Sequence, residues 1–112
     1  MDSVKTMKKS GFIALLFLPL MAFAQTPEFT LVIKNHRFEP AELTVPAGKR
    51  IRLVIDNQDP TPEEFESKKM RAEKIIPGKT KGSVMVGPLK PGSYPFEGEF
   101  HDKTARGTLH AK

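Results

Sequence analysis

Residues 29–55, FTLVIKNHRFEPAELTVPAGKRIRLVI, decide the fold. Phe29, Leu31 and Ile33 alternate with Thr30, Val32 and Lys34; Leu43 and Val45 follow Pro40; Ile51, Leu53 and Ile55 alternate with Arg50, Arg52 and Val54. A period of two sends successive side chains to opposite faces of an extended chain, so each run reads as a strand with one face toward a core. Turn formers separate the runs at Pro46-Ala47-Gly48, Asn57-Gln58-Asp59-Pro60, Pro77-Gly78, Gly87-Pro88 and Pro91-Gly92. Segments 83–86, 94–96 and 107–109 supply later strands. Ten prolines and eight glycines would disrupt a helical bundle of this length but suit a loop-rich sandwich. The expectation is an all-β sandwich of about seven to eight short antiparallel strands. Residues 63–74 fit less cleanly, because the spacing of Phe65, Met70 and Ile75 also suits a helical turn; they are expected to form an irregular connection.

The chain opens with a targeting pattern. Lys5, Lys8 and Lys9 form a positive region, residues 12–23 are almost continuously apolar, and Ala22-Phe23-Ala24 before Gln25 makes a small-x-small cleavage site. The run is short for a bilayer span and no charge cluster follows it. Residues 1–24 therefore read as a cleaved secretory signal, with a retained membrane anchor as the alternative, and residues 25–112 as one small domain. Without the signal, 15 basic residues face 12 acidic ones, a net charge of +3. That is too mild, and its residues too scattered among few aromatics, to argue for nucleic acid. The chain has no cysteine. Disulfides, thiolate metal ligands, zinc fingers and thiol redox chemistry are all excluded.

Two clusters could carry chemistry. In Glu63-Glu64-Phe65-Glu66, alternation places Glu64 and Glu66 on one face and Phe65 on the other. Carboxylates that close repel unless a cation sits between them, so they read either as metal ligands or as a solvated acidic loop answered by Lys68, Lys69 and Lys74. The second cluster, residues 94–102 (YPFEGEFHD), leaves the last core strand carrying Glu99 and His101 two residues apart, able to point the same way. A solvated loop histidine is the bland alternative. Ser67, Ser83 and Ser93 lie in no nucleophile elbow and no glycine forms a phosphate cradle, which removes acyl and phosphoryl transfer.

Taken in order, residues 36–48 (HRFEPAELTVPAG), Asn57-Gln58-Asp59, residues 87–94 (GPLKPGSY) and Gly98-Glu99-Phe100-His101 to Gly107 resemble a cupredoxin across essentially the whole of residues 25–112. The segments Glu64-Phe65-Glu66-Ser67, Glu73-Lys74 and Gly98-Glu99-Phe100-His101 are similar to a cysteine-free branch associated with bacterial iron permeases. The resemblance implies a cupredoxin-like Greek-key β-sandwich. It also places the usual copper ligands: the first histidine's place falls at about Glu63 or Glu64, the cysteine's near Gly98, the second histidine's at His101 and the methionine's at Ala105 or Arg106. Three of those four ligands are missing, so a type 1 blue-copper centre is ruled out.

What remains is a donor set of carboxylates and imidazole, which suits iron or divalent copper. On this resemblance the expected metal residues are Glu64, Glu66, Glu99 and His101, with His36, Met70 and Glu73 as outer candidates. The implied cofactor is an iron and/or copper ion, and the implied role is periplasmic: assisting the oxidation of ferrous iron, as a ferroxidase would, or its delivery to an inner-membrane iron permease and an associated periplasmic iron-binding protein. Contact with the membrane would be peripheral, through membrane proteins. Two other readings stay open, a copper(II)-binding carrier without turnover and a metal-free docking module of the transporter.

Overall fold

A computed structural model describes residues 25–112; the expected signal segment lies outside them. The described chain forms nine strands: β1 (Glu28–Lys34), β2 (Arg37–Glu39), β3 (Glu42–Val45), β4 (Ile51–Asn57), β5 (Glu63–Ser67), β6 (Ala72–Ile76), β7 (Thr80–Val86), β8 (Gly92–Gly98) and β9 (Arg106–Ala111). One sheet runs β2-β1-β4-β7 and the other β3-β9-β8-β5-β6, so the two faces of a sandwich enclose the core. The all-β expectation holds. The antiparallel pattern is broken twice, since β1 pairs with β4 and β3 pairs with β9 in parallel. Both exceptions come from the amino-terminal third, where β1 and β2 sit in one sheet and β3 crosses to the other.

The inward set is the one that the period of two selects. Along β4, Ile51, Leu53 and Ile55 are buried and alternate with Arg52, Val54 and Asp56. Leu31 and Ile33 from β1 meet them, and Leu109 faces them from the second sheet. At the centre Phe38, Phe65 and Phe96 form a triad. Phe38 stands edge-on to both partners, with ring centroids 6.1 Å from Phe65 and 5.0 Å from Phe96, while Phe65 and Phe96 lie 5.4 Å apart. Edge-to-face pairing aligns the positive ring edge with the negative face, which adds to the burial energy.

Residues 63–74, expected as an irregular connection, instead contribute to a hairpin. β5 and β6 pair in register from Glu63↔Ile76 to Ser67↔Ala72, and Arg71 takes a positive φ of 55° in the turn. The alternation was masked because two of the three inward positions on β5, Glu63 and Ser67, are polar. Each is satisfied internally: the Ser67 hydroxyl donates to the Pro95 carbonyl (2.7 Å) and accepts from the Met70 amide (3.3 Å).

Asn57 ends β4 fully buried and braces the next connection. Its side-chain nitrogen donates to the carbonyls of Thr61 (2.9 Å) and Ile76 (3.1 Å), and its side-chain oxygen accepts from the Asp59 amide (3.0 Å). Those bonds fix residues 57–61 against the start of β5, where the candidate site begins. The aromatic triad sets the integrity of this frame. Phe65→Ala removes a fully buried ring, so urea denaturation is expected to show a loss of about 3–5 kcal/mol.

Candidate functional site

Four segments meet at one pole of the sandwich: the β1–β2 turn, the β4–β5 connection, the first residue of β5 and the loop after β8. The β1–β2 turn has two residues, Asn35 and His36, both at positive φ (54° and 57°), the requirement of a type I′ hairpin turn. The loop after β8 begins with a single 3₁₀ turn, Glu99–His101. Together they bring the His36 and His101 rings to a centroid separation of 3.6 Å, edge to face at 61°. The Thr104 hydroxyl closes the contact by donating to the His36 carbonyl (2.7 Å). An open depression of about 510 Å³ lies over the pair, bordered by Asn35, Phe100, Asp102 and Lys103.

Glu63 holds this arrangement from beneath. Its side chain is 1% exposed. One carboxylate oxygen accepts from the amides of Phe100 (2.8 Å) and Glu64 (3.0 Å), and the other lies 2.6 Å from His101 Nδ1. With a carboxylate as acceptor, Nδ1 carries the proton and Nε2 is left to meet an outside partner. This is the carboxylate–imidazole relay that orients histidine ligands in metal sites. His36 Nδ1 is buried with no hydrogen-bond partner. A shielded ring nitrogen without a partner is costly in apolar surroundings and suits an electrophilic ion.

Glu63 also accounts for the missing thiolate in steric terms. A Cβ added at Gly98 would lie 2.6 Å from Glu63 Cδ and 2.8 Å from Ala105 Cβ. The carboxylate therefore fills the space into which a side chain at residue 98 would project. The donors left at the pole are nitrogen and oxygen, a set that fits copper(II) or iron and does not fit a type 1 copper centre.

Glu64 and Glu66 turn the other way. As alternation predicts, they face out of the sheet while Phe65 faces in. There they join a second group. Glu66 sits directly opposite Glu73 on β6 and Glu97 on β8, and single carboxylate oxygens of Glu66, Glu97 and Glu99 lie within 4.8 Å of one another. Glu64 shares a hydrogen bond with Glu73, which together with partial burial and repulsion from neighbouring carboxylates pushes its carboxyl above the usual range. Glu99 is pushed up likewise, first by a hydrogen bond shared with Glu66, then by Glu66's charge, with Lys68 opposing. Among the described residues, the carboxylate that Arg106 approaches is that of Glu97, at 3.9 Å.

The expected ligands thus fall into two groups on opposite faces of β5. His36 and His101 meet at the pole; Glu64, Glu66, Glu73 and Glu99 form the outer acidic row. Met70, expected as an outer candidate, packs into the core beneath the β5–β6 turn, at the far end of β5 from Glu63 and roughly 13 Å along the strand. Its thioether is taken up in packing. Glu97 was not among the expected ligands, and neither was Glu63, although the resemblance put the first histidine's place at Glu63 or Glu64. The signal for Glu63 was its phase, an acidic residue in step with Phe65 on the inward side of a strand.

The outer row has a sign that can be measured. Glu64 and Glu99 bind protons more tightly folded than unfolded, so the stability they contribute is complete below the unfolded carboxyl value and is lost as pH rises through the higher folded value. Replacing Glu66 with Gln, which removes a charge facing both, is expected to raise Tm at pH 7. The gain should shrink toward zero as pH falls to about 4, where carboxyls neutralise in both proteins.

Comparison with known proteins agrees with this architecture. A family model described as a cupredoxin-like domain matches residues 10–111. An uncharacterized protein of Rickettsia prowazekii (strain Madrid E) is 38% identical over 121 residues, covering 97% of each chain. Among solved structures, auracyanin A, a blue copper protein from Chloroflexus aurantiacus, superposes with a TM-score of 0.70 at 15% identity, over 79% of this chain and all of that one. The metal-binding domain of a Cu(I)-exporting P-type ATPase from Streptococcus pneumoniae D39 gives 0.65 at 12% identity, over 81% and 91%. These structural likenesses concern the fold alone. By family match and by architecture, this chain belongs to the cupredoxin-like domain family.

Proposed function

We propose that this protein is exported to the periplasm, holds a divalent metal ion at the pole between His36 and His101, and serves ferrous-iron uptake by assisting the ion's oxidation or its delivery to a membrane permease. The observation that carries the metal reading is the imidazole pair, 3.6 Å between ring centroids, with one ring nitrogen buried and unpartnered and the other ring held by Glu63. His36 and His101 are the residues that would hold the ion, and Glu63 orients His101 toward it. A copper(II) ion bound there would supply a one-electron acceptor; an iron ion would be cargo or substrate. The iron association rests on the resemblance of the Glu64–Ser67, Glu73-Lys74 and Gly98–His101 segments to the iron-permease branch.

One feature favours a second reading, a copper(II) carrier without turnover. With Gly98 in the cysteine's place and Met70 packed at the far end of β5, the pole has neither a thiolate nor this thioether to stabilise copper(I). Nitrogen and oxygen donors favour the divalent state, which suits holding copper more than cycling it.

Titration of the purified protein with copper(II), and anaerobically with ferrous iron, tests the site. His101→Ala is expected to weaken binding by about 100-fold, while Glu66→Gln and Glu99→Gln change it by less than about threefold. The reverse pattern would move the ion to the outer acidic row and overturn the reading at the pole. Ferrous oxidation under air then separates the roles: acceleration over buffer supports assistance to iron uptake, and firm copper binding without acceleration supports the carrier.

A further inference from the structure

The β1–β2 turn carries His36 in a conformation that its side chain disfavours. A two-residue type I′ turn prefers Asn followed by Gly, because both central residues adopt positive φ and only glycine does so without steric cost. Here Asn35 fits, and His36 occupies the glycine's place at φ 57°. A glycine there would form the same hairpin with less strain, so the turn is built to present the imidazole.

Asp59 offsets that strain from a different part of the chain. One of its carboxylate oxygens accepts from the Asn35 amide (2.8 Å) and the other from the His36 amide (2.9 Å). Two consecutive amides turned toward one anion make a small cradle, which the carboxylate fills. Asp59 is itself fixed on every side. It is 8% exposed, its amide donates to the Asn57 side chain, its carbonyl accepts from the Lys79 amide (2.8 Å), and the preceding Gln58 amide donates to the Ile33 carbonyl (2.9 Å). The carboxylate therefore sits on a rigid connection between β4 and β5, the same connection that leads into Glu63.

We infer that Asp59 is a positioning residue, whose carboxylate clamps the Asn35 and His36 amides and so sets the His36 ring against His101. The inference deepens the pole reading and rests on it for its consequence in metal binding, although the geometric part stands without metal. Glu63 acts on His101 through its side chain, whereas Asp59 acts on His36 through its backbone. Two carboxylates, one on the β4–β5 connection and one at the first residue of β5, thus place two imidazoles.

The test compares wild type, Asp59→Asn, His36→Ala and the double variant. An asparagine keeps the size of the side chain and one acceptor, but turns an amino group toward the other amide. In metal-free protein, NMR is expected to show a nuclear Overhauser contact between the His36 and His101 rings in wild type and to lose it in Asp59→Asn, with the β4–β7 core resonances unchanged. Copper(II) affinity should fall about tenfold in Asp59→Asn, and the double variant should bind no more weakly than His36→Ala alone, because both changes remove the same ligand. Retention of the ring contact in Asp59→Asn would overturn the inference, as would losses that multiply in the double variant. Should Asp59→Asn fail to fold, Asp59→Ser, which keeps a single acceptor on a shorter side chain, takes its place: a folded protein lacking the ring contact supports the clamp, and one retaining it contradicts the clamp. A wild type that shows the ring contact but binds no copper would end the pole reading and leave the positioning result to the NMR comparison.

Discussion

A buried carboxylate has to be satisfied on all sides, and Glu63 meets that demand by gathering the pole around itself. Its oxygens take the Phe100 and Glu64 amides and the His101 ring. Without those donors the cost of removing an anion from water would be uncompensated. The consequences extend through the pole. The loop after β8 is tied to the start of β5, the His101 tautomer is set, and the space beside Gly98 is filled so that no side chain fits there. One residue thus fixes the His101 ring and fills the space beside Gly98.

β5 divides the acidic residues of this protein into two chemical settings. On its inner side Glu63 is buried beneath an imidazole that itself reaches the surface. On its outer side Glu66 faces Glu73 and Glu97 across both neighbouring strands, with Glu99 close by. Water and the lysines at the rim screen that row, while the inner carboxylate has only its three partners. The strand's pleat creates this division, because residues one apart point in opposite directions. A one-residue slip would place Phe65 in water and Glu64 and Glu66 in the core, so the triad of phenylalanines also protects the chemistry of the pole.

Most of the fold was legible because burial along β1 and β4 follows a clean period of two. The β5–β6 hairpin was not, because its inward positions carry Glu63 and Ser67, whose partners come from the start of β5 itself, the loop after β8, the β5–β6 turn and Pro95 on β8. Such satisfaction is invisible in a single stretch of sequence. The candidate site was legible in part for the same reason. His101 stood out among its acidic neighbours, and His36 followed from the fold resemblance. Asp59 read only as a turn residue, and its role appears once the β1–β2 turn is folded onto it. Met70 looked available as a soft ligand because its neighbours in sequence are charged, but the turn tucks it under the hairpin, where a flexible apolar side chain fills the core.

A metal centre at this pole requires two imidazoles sharing one ion. Pulsed electron paramagnetic resonance of the copper(II)-loaded protein reads this directly through the coupling of remote ring nitrogens. Two imidazoles are expected in wild type, one after His36→Ala and one after His101→Ala. Spectra without imidazole coupling, or coupling that survives both substitutions together, would contradict a metal centre at this pole.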